Sequence, residues 1–209
     1  ILAKNVISNI SGSNSNLEKK YIYRIQSTIN ISNIYEKTSQ YEKVINELKL
    51  ILSPDLKEKW LQGYVIVMGN LGYSKMKKGL INGTDEYFKE AFKISIKNNF
   101  ENNKIYQLKN LGEYYAIVND TTSSIKYLNQ SLQLAQKLKM GDEIKKSLQL
   151  LSQVDYKNAT FYDKKYIAIS DSLTKAQRIN RNKYARIEYE TSVVEDENKL
   201  LSTKNTYIL

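Results

Sequence analysis

Chemistry in this sequence must rest on carboxylates, lysines and hydroxyls, because its 209 residues include neither histidine nor cysteine. That excludes thiol chemistry, disulfide frameworks and every catalytic dyad or triad built on His or Cys. It also removes the favoured ligands of zinc. Carboxylate-pair acid–base work and lysine-based chemistry survive on paper. No acidic pair, however, stands at a spacing distinct from ordinary helix-surface charge. The expectation is a protein that binds, with no enzyme activity, no metal and no cofactor. The 17 tyrosines suit that role, since a tyrosine ring can line a helix seam while its hydroxyl reaches water or a partner.

A net charge of +10 raises the question of nucleic acid. Of the 32 basic residues, 28 are lysines scattered among Asp and Glu, and only Arg24, Arg178, Arg181 and Arg186 are arginines. Direct base readout favours arginine with Asn or Gln on one recognition element. Dispersed lysine reads as a solvated surface, so no direct nucleic-acid contact is expected from this chain. No run of 18 apolar residues occurs, so no membrane span is expected within it. Residues 1–10 read as the tail of a helix, and Ser11-Gly12-Ser13-Asn14-Ser15-Asn16 as a linker. Thr206-Tyr207-Ile208-Leu209 turns apolar where the sequence stops, which gives it the look of an excised piece.

The elements that must position any binding residue come from an internal repeat. At an offset of 40, Ile31-Ser32, Leu71-Gly72, Leu111-Gly112 and Leu151-Ser152 fall in register. Asn30, Asn70 and Asn110 precede the first three of these pairs. Val44, Thr84 and Ser124 follow, then Leu48, Phe88 and Leu128, then Ile51, Ala91 and Ser131. Tyr35 and Tyr115 add an aromatic four residues after the first position. The spacing resembles that of the tetratricopeptide repeat, in which a small residue lets the two helices of a hairpin approach. Thr28, Met68 and Leu108 stand where that pattern has tryptophan, and no proline closes a unit. The period of 40 also touches that of HEAT-type repeats.

Punctuation supports the units. Ser53-Pro54-Asp55 reads as a helix start, Asn82-Gly83-Thr84 as an end and a new start, and Asn119-Asp120-Thr121 and Met140-Gly141-Asp142 as turns. The predicted helices are 17–37, 40–52, 54–80, 84–99, 102–118, 121–139, 142–156 and 159–172. The predicted fold is all-α: a tetratricopeptide-like superhelix of about four hairpins over 1–172, then a long helix over 173–209. In that last segment Leu173, Ile187, Val194 and Leu201 recur at multiples of seven, with Tyr184 on a weaker companion seam. Its first half is basic (Lys175, Arg178, Arg181, Lys183, Arg186) and its second acidic (Glu188, Glu190, Glu195, Asp196, Glu197). The seam predicts weak homodimerisation.

Asp171-Ser172-Leu173, then Arg181 to Thr191, then Glu197-Asn198-Lys199-Leu200 resemble the junction of one bacterial family of membrane-bound regulators. The resemblance implies a periplasmic repeat array, a transmitting helix, a transmembrane segment, and a cytoplasmic helix-turn-helix output of LuxR or AraC type, or in some relatives a histidine kinase. Span and output are not in this sequence. The concave surface of such arrays is built by the first helix of each hairpin. On that basis Asn33, Lys37, Tyr73, Lys77, Lys109 and Glu113 are the candidates for contact with a protein or peptide ligand. Leu173, Tyr184, Ile187, Val194 and Leu201 are the candidates for signalling or dimerisation. Asn30, Asn70 and Asn110 read as a hydrogen-bonded ladder between helices, or else as groove lining. Two functions are thus expected: the sensor region of an inner-membrane regulator, or a free-standing cytoplasmic adaptor or peptide-responsive regulator.

Overall fold

The computed structural model describes the backbone of residues 14–206 and the side chains of residues 17–201. The chain is all-α: the described residues form nine α-helices and no strand. They are α1 (Asn14–Lys37), α2 (Tyr41–Ile51), α3 (Pro54–Lys59), α4 (Leu61–Lys77), α5 (Thr84–Lys97), α6 (Glu101–Ile117), α7 (Thr121–Lys137), α8 (Gly141–Val154) and α9 (Ala159–Thr206). A single 3-10 turn, Tyr156–Asn158, joins α8 to α9. The expectations for residues 1–13 and 207–209 lie outside the described residues. Asn14 to Asn16, read as linker, open α1.

The helix starts follow local chemistry. Ser53 is extended and its hydroxyl accepts the Leu56 N–H at 3.2 Å, with Pro54 beginning the helix where its missing N–H costs nothing. The Asp120 carboxylate accepts the Ser123 N–H at 3.0 Å, which holds its carboxyl below the usual range. The ends show the period in the backbone itself. Ser39, Gly79 and Asn119 close α1, α4 and α6 in the left-handed region, at φ of 57°, 85° and 62°. Asn99 and Lys139 close α5 and α7 in the same way, at 56° and 55°. After each, an N–H reaches back to the carbonyl five residues earlier: Gln40 to Tyr35, Leu80 to Lys75, Phe100 to Ser95, Asp120 to Tyr115 and Met140 to Ala135. From 79 to 139 the chain therefore turns every 20 residues.

Two expected elements differ. The helix read over 54–80 is broken at Trp60, which is extended at φ −150° and ψ 77°. Its indole lies over Gly63, where a Cβ would come within 2.2 Å of the ring, so the break and the glycine belong to one local fit. That helix also ends at Lys77, with Gly79 making the turn that was assigned to Asn82-Gly83. The helix break read at 172/173 is absent, and 159–172 and 173–205 form one continuous helix, α9. Nothing in this stretch can break it, since residues 159–206 hold no Gly or Pro.

Helices pack in chain order: α1 on α2, α2 on α4, α4 on α5, and so on to α9 on α8. A second set of contacts joins α1 to α4, α4 to α6 and α6 to α8. There is no single core but four clusters strung along the chain. The 40-residue register is what they bury. Val44, Thr84 and Ser124 are fully buried, as are Leu48, Phe88 and Leu128. Thr28, Met68 and Leu108 are buried too. The small residues are demanded by close approach. A Cβ on Gly112 would lie 2.5 Å from Leu128 Cγ, and one on Gly72 would lie 2.9 Å from Phe88 Cε1.

Candidate functional site

The second set of contacts leaves one wall of the molecule built from α1, α4, α6 and α8. A groove of about 840 Å³ runs along it. Asn33, Lys37, Tyr73, Lys77, Lys109 and Glu113, the six groove candidates, all line it. So do residues the sequence reading passed over: Glu36, Gln62, Ile66, Asn102, Asn103, Tyr106, Gln107, Lys146, Gln149, Leu150 and Gln153. The signal that finds most of them is the period itself. Asn33, Tyr73, Glu113 and Gln153 are 40 apart, as are Ile66, Tyr106 and Lys146, and Gln62 and Asn102.

Each neighbouring pair of wall helices is tied across the groove by side chains. Asn70 Nδ2 on α4 donates to Asn33 Oδ1 on α1 at 3.0 Å. Lys77 on α4 pairs with Glu113 on α6. Lys109 on α6 pairs with Glu143 on α8 at 2.9 Å, and Glu143 also takes Lys146 at 2.8 Å. The asparagine ladder is not formed as read. Asn70 bonds to Asn33 rather than to Asn30 or Asn110, and Asn30 is exposed and outside the groove. Asn70 and Asn110 line the groove instead.

Lysines lie over the tyrosine rings of this wall, Lys77 at 5.4 Å from the Tyr73 centroid and Lys109 at 5.0 Å from that of Tyr106. Burial, and the charges of Glu113 and Glu36, push the Tyr73 hydroxyl well above its ordinary value, so it stays a neutral donor. Burial lowers Lys109, against the pull of Glu143. Burial alone would raise Glu143, but Lys109 and Lys146 outweigh it and hold the carboxyl below its ordinary value. Glu36 is the exception on this wall. Its carboxylate has no hydrogen bond or ion pair among the described residues, and burial raises it against the pull of Lys109, Lys146 and Lys77.

A raised carboxyl costs stability wherever it must ionise in the fold. Glu36→Gln is therefore expected to raise the melting temperature at neutral pH. The gap to the parent should close as pH falls through and below the ordinary carboxyl value of 4.5, where folded and unfolded states both become protonated. Thermal melts at several pH values measure this, and a variant less stable than the parent at pH 7 would contradict it.

The signalling candidates divide. Leu173 packs on the array, where a Cβ on Gly141 would lie 2.6 Å from its Cδ2. It is thus an anchor of α9 on α8 rather than a free seam position. Tyr184, Ile187, Val194 and Leu201 are 70%, 46%, 54% and 59% exposed, so none docks on the preceding hairpin. Among the described residues no cluster of three or more Asp or Glu could hold a metal ion. Nine of the nineteen groove residues are Asn or Gln, which present a donor and an acceptor side by side. The wall can therefore pair with an amide backbone or a polyhydroxyl surface. In comparisons with known proteins, no family model matches the sequence and no curated protein matches it.

Proposed function

We propose that the chain is a recognition module that holds an extended segment of a protein or peptide in the groove along α1, α4, α6 and α8, and that it is not an enzyme. The tetratricopeptide-like superhelix belongs to this reading. It is supported by hairpins that repeat every 40 residues in sequence, in burial and in their left-handed turns. The observation that carries the reading is the amide-rich groove wall, with Tyr106 and Ile66 supplying apolar contact between the amides. An extended segment leaves its own N–H and C=O groups unpaired, and side-chain amides satisfy both kinds. At about 840 Å³ the groove reaches the upper range of small-molecule sites, which suits a segment of several residues.

The test is a selection of displayed dodecapeptides on the whole chain. Enriched peptides should lose at least about tenfold in affinity when Asn70→Ala and Tyr106→Ala are combined, as expected when a buried hydrogen bond and an aromatic contact go together. Enriched peptides indifferent to both changes would overturn the reading, as would a selection that enriches none.

A second reading adds context to the first. The module would be the periplasmic ligand-binding region of a membrane-bound transcriptional regulator, with α9 carrying groove occupancy towards the bilayer. The observation that favours it is the continuity of α9, which begins packed on α8 through Tyr162 and Tyr166 and runs on exposed. A ligand acts this way only if it binds one arrangement of the hairpins better than another. Among the described residues no helix is long and apolar enough to cross a membrane, so the span would be encoded further on. The codons after Leu209 decide the matter. A stop codon or a polar run there sinks this reading and leaves the groove untouched.

A further inference from the structure

Past its anchor at Leu173, every residue of α9 from 174 to 201 is exposed. That stretch carries apolar side chains no soluble helix needs on its surface: Ile179, Tyr184, Ile187, Val194 and Leu201 among them. Four of the eight large ones, Tyr184, Ile187, Val194 and Leu201, fall on one stripe at alternating steps of four and three: Asn180, Tyr184, Ile187, Thr191, Val194, Asn198, Leu201. Such a stripe is a seam for another helix. The charges beside it are sorted along the axis. Residues 175–186 hold five cations and no acid, and residues 188–197 hold five acids and no cation.

That sorting decides what covers the seam and in which direction. Two copies laid parallel and in register set each half against its own sign. Glu190 would flank Glu195 of the partner subunit, and only Lys183 and Glu188 would be favourably matched. Two copies laid antiparallel, with Tyr184 facing Ile187 of the partner subunit, set each basic half along an acidic half. Arg181 and Lys183 then lie beside Glu188 and Glu190 of the partner subunit, on both sides of the seam. Glu190 already takes Arg186 of its own helix at 2.7 Å and keeps a second oxygen free for the partner. We infer that the exposed arm of α9 pairs antiparallel with the same arm of a second copy of this chain, over residues 175–196. Asn180 and Thr191 face each other in that register, and these polar layers keep the pairing weak and reversible.

The pairing does not depend on what the groove binds. It does bear on the transmitting role of α9. Antiparallel arms send their carboxyl ends in opposite directions, so this pairing and side-by-side entry of both arms into one bilayer exclude each other.

The absence of cysteine makes the test clean. Two single-cysteine variants of the whole chain, Asn180→Cys and Thr191→Cys, are oxidised separately and as an equal mixture. Antiparallel pairing gives a 180–191 disulfide in the mixture and no dimer from either variant alone, because like positions then lie about 16 Å apart along the axis. Dimers from each variant alone, with none joining the two, would overturn the proposal in favour of parallel arms. A chain that sediments as a monomer at its highest soluble concentration, with no cross-link in the mixture, would overturn pairing altogether. As a second measurement, Arg181→Glu with Lys183→Glu should weaken self-association about tenfold, the sum of several exposed pairs turned repulsive. Mixing that variant with Glu188→Lys/Glu190→Lys should restore it, and no restoration counts against the antiparallel register. Circular dichroism checks that the substituted arm stays helical. A negative outcome here leaves the peptide selection on the groove unaffected, so the two readings fail separately.

Discussion

Phe88→Ala is expected to destabilise the chain by about 3–5 kcal/mol, the largest loss from any single truncation in the array. Phe88 sits on α5 and is fully buried. It packs with Met76 of α4 and Leu111 of α6, and its ring closes over Gly72. The side chain therefore joins the two helices of its own hairpin and also ties that hairpin to the next. Because the core is divided into small clusters, no neighbouring cluster can collapse into the void. Urea unfolding followed by helical circular dichroism measures the loss. A change below about 1 kcal/mol would mean that the joint around Phe88 relaxes freely, against the close packing expected of protein interiors.

The second large effect is electrostatic. Glu143→Gln is expected to cost about 3 kcal/mol at neutral pH, because it leaves Lys109 buried without its counter-charge. The Lys109 side chain is only 11% exposed and that of Glu143 only 4%, so water cannot substitute for the partner. The pair is also the side-chain tie between α6 and α8 across the groove. The sign of the pH dependence follows from the direction of the shift. Glu143 has its folded value depressed, so its contribution is present above the ordinary carboxyl value of 4.5 and is lost as pH falls below it. The parent should thus approach the variant in stability under acid conditions, and Glu36 should work in the opposite sense. Unfolding curves for parent and variant from pH 7 down to pH 3 test both signs, and a gap that widens in acid would contradict the assignment.

The helical class, the period and the wall that faces the groove were legible in the sequence. Their signals are repeated, and repetition averages out the weakness of any one residue. Leu71, Leu111 and Leu151 share a burial as well as a spacing. What was not legible is local and happens once. The break at Trp60 depends on an indole finding Gly63, and a helix read from propensity runs straight through it. The turn residues Ser39 and Lys139 are neither Gly nor Asn, so their left-handed conformation is imposed by the packing of the hairpins and has no local cue. Glu143 was invisible as a groove tie because it lies outside the lining and acts through Lys109. The boundary expected after residue 172 marked a real change, from packed to exposed, but that change occurs partway along a helix that does not stop.

The anchoring of α9 has a mechanical consequence. Its last fixed point is the contact of Leu173 with Gly141, the first residue of α8, and α8 itself forms one end of the groove. Beyond that point the helix extends for about 50 Å, exposed on its own chain as far as residue 201. It is a lever with its fulcrum on a groove helix. A tilt of about 10° at the fulcrum would sweep the far end through about 9 Å, given the rise of an α-helix. A ligand that tilted α8 by that amount would therefore move the tip by nearly a helix diameter. Shortening the arm would reduce that gain in proportion to the residues removed.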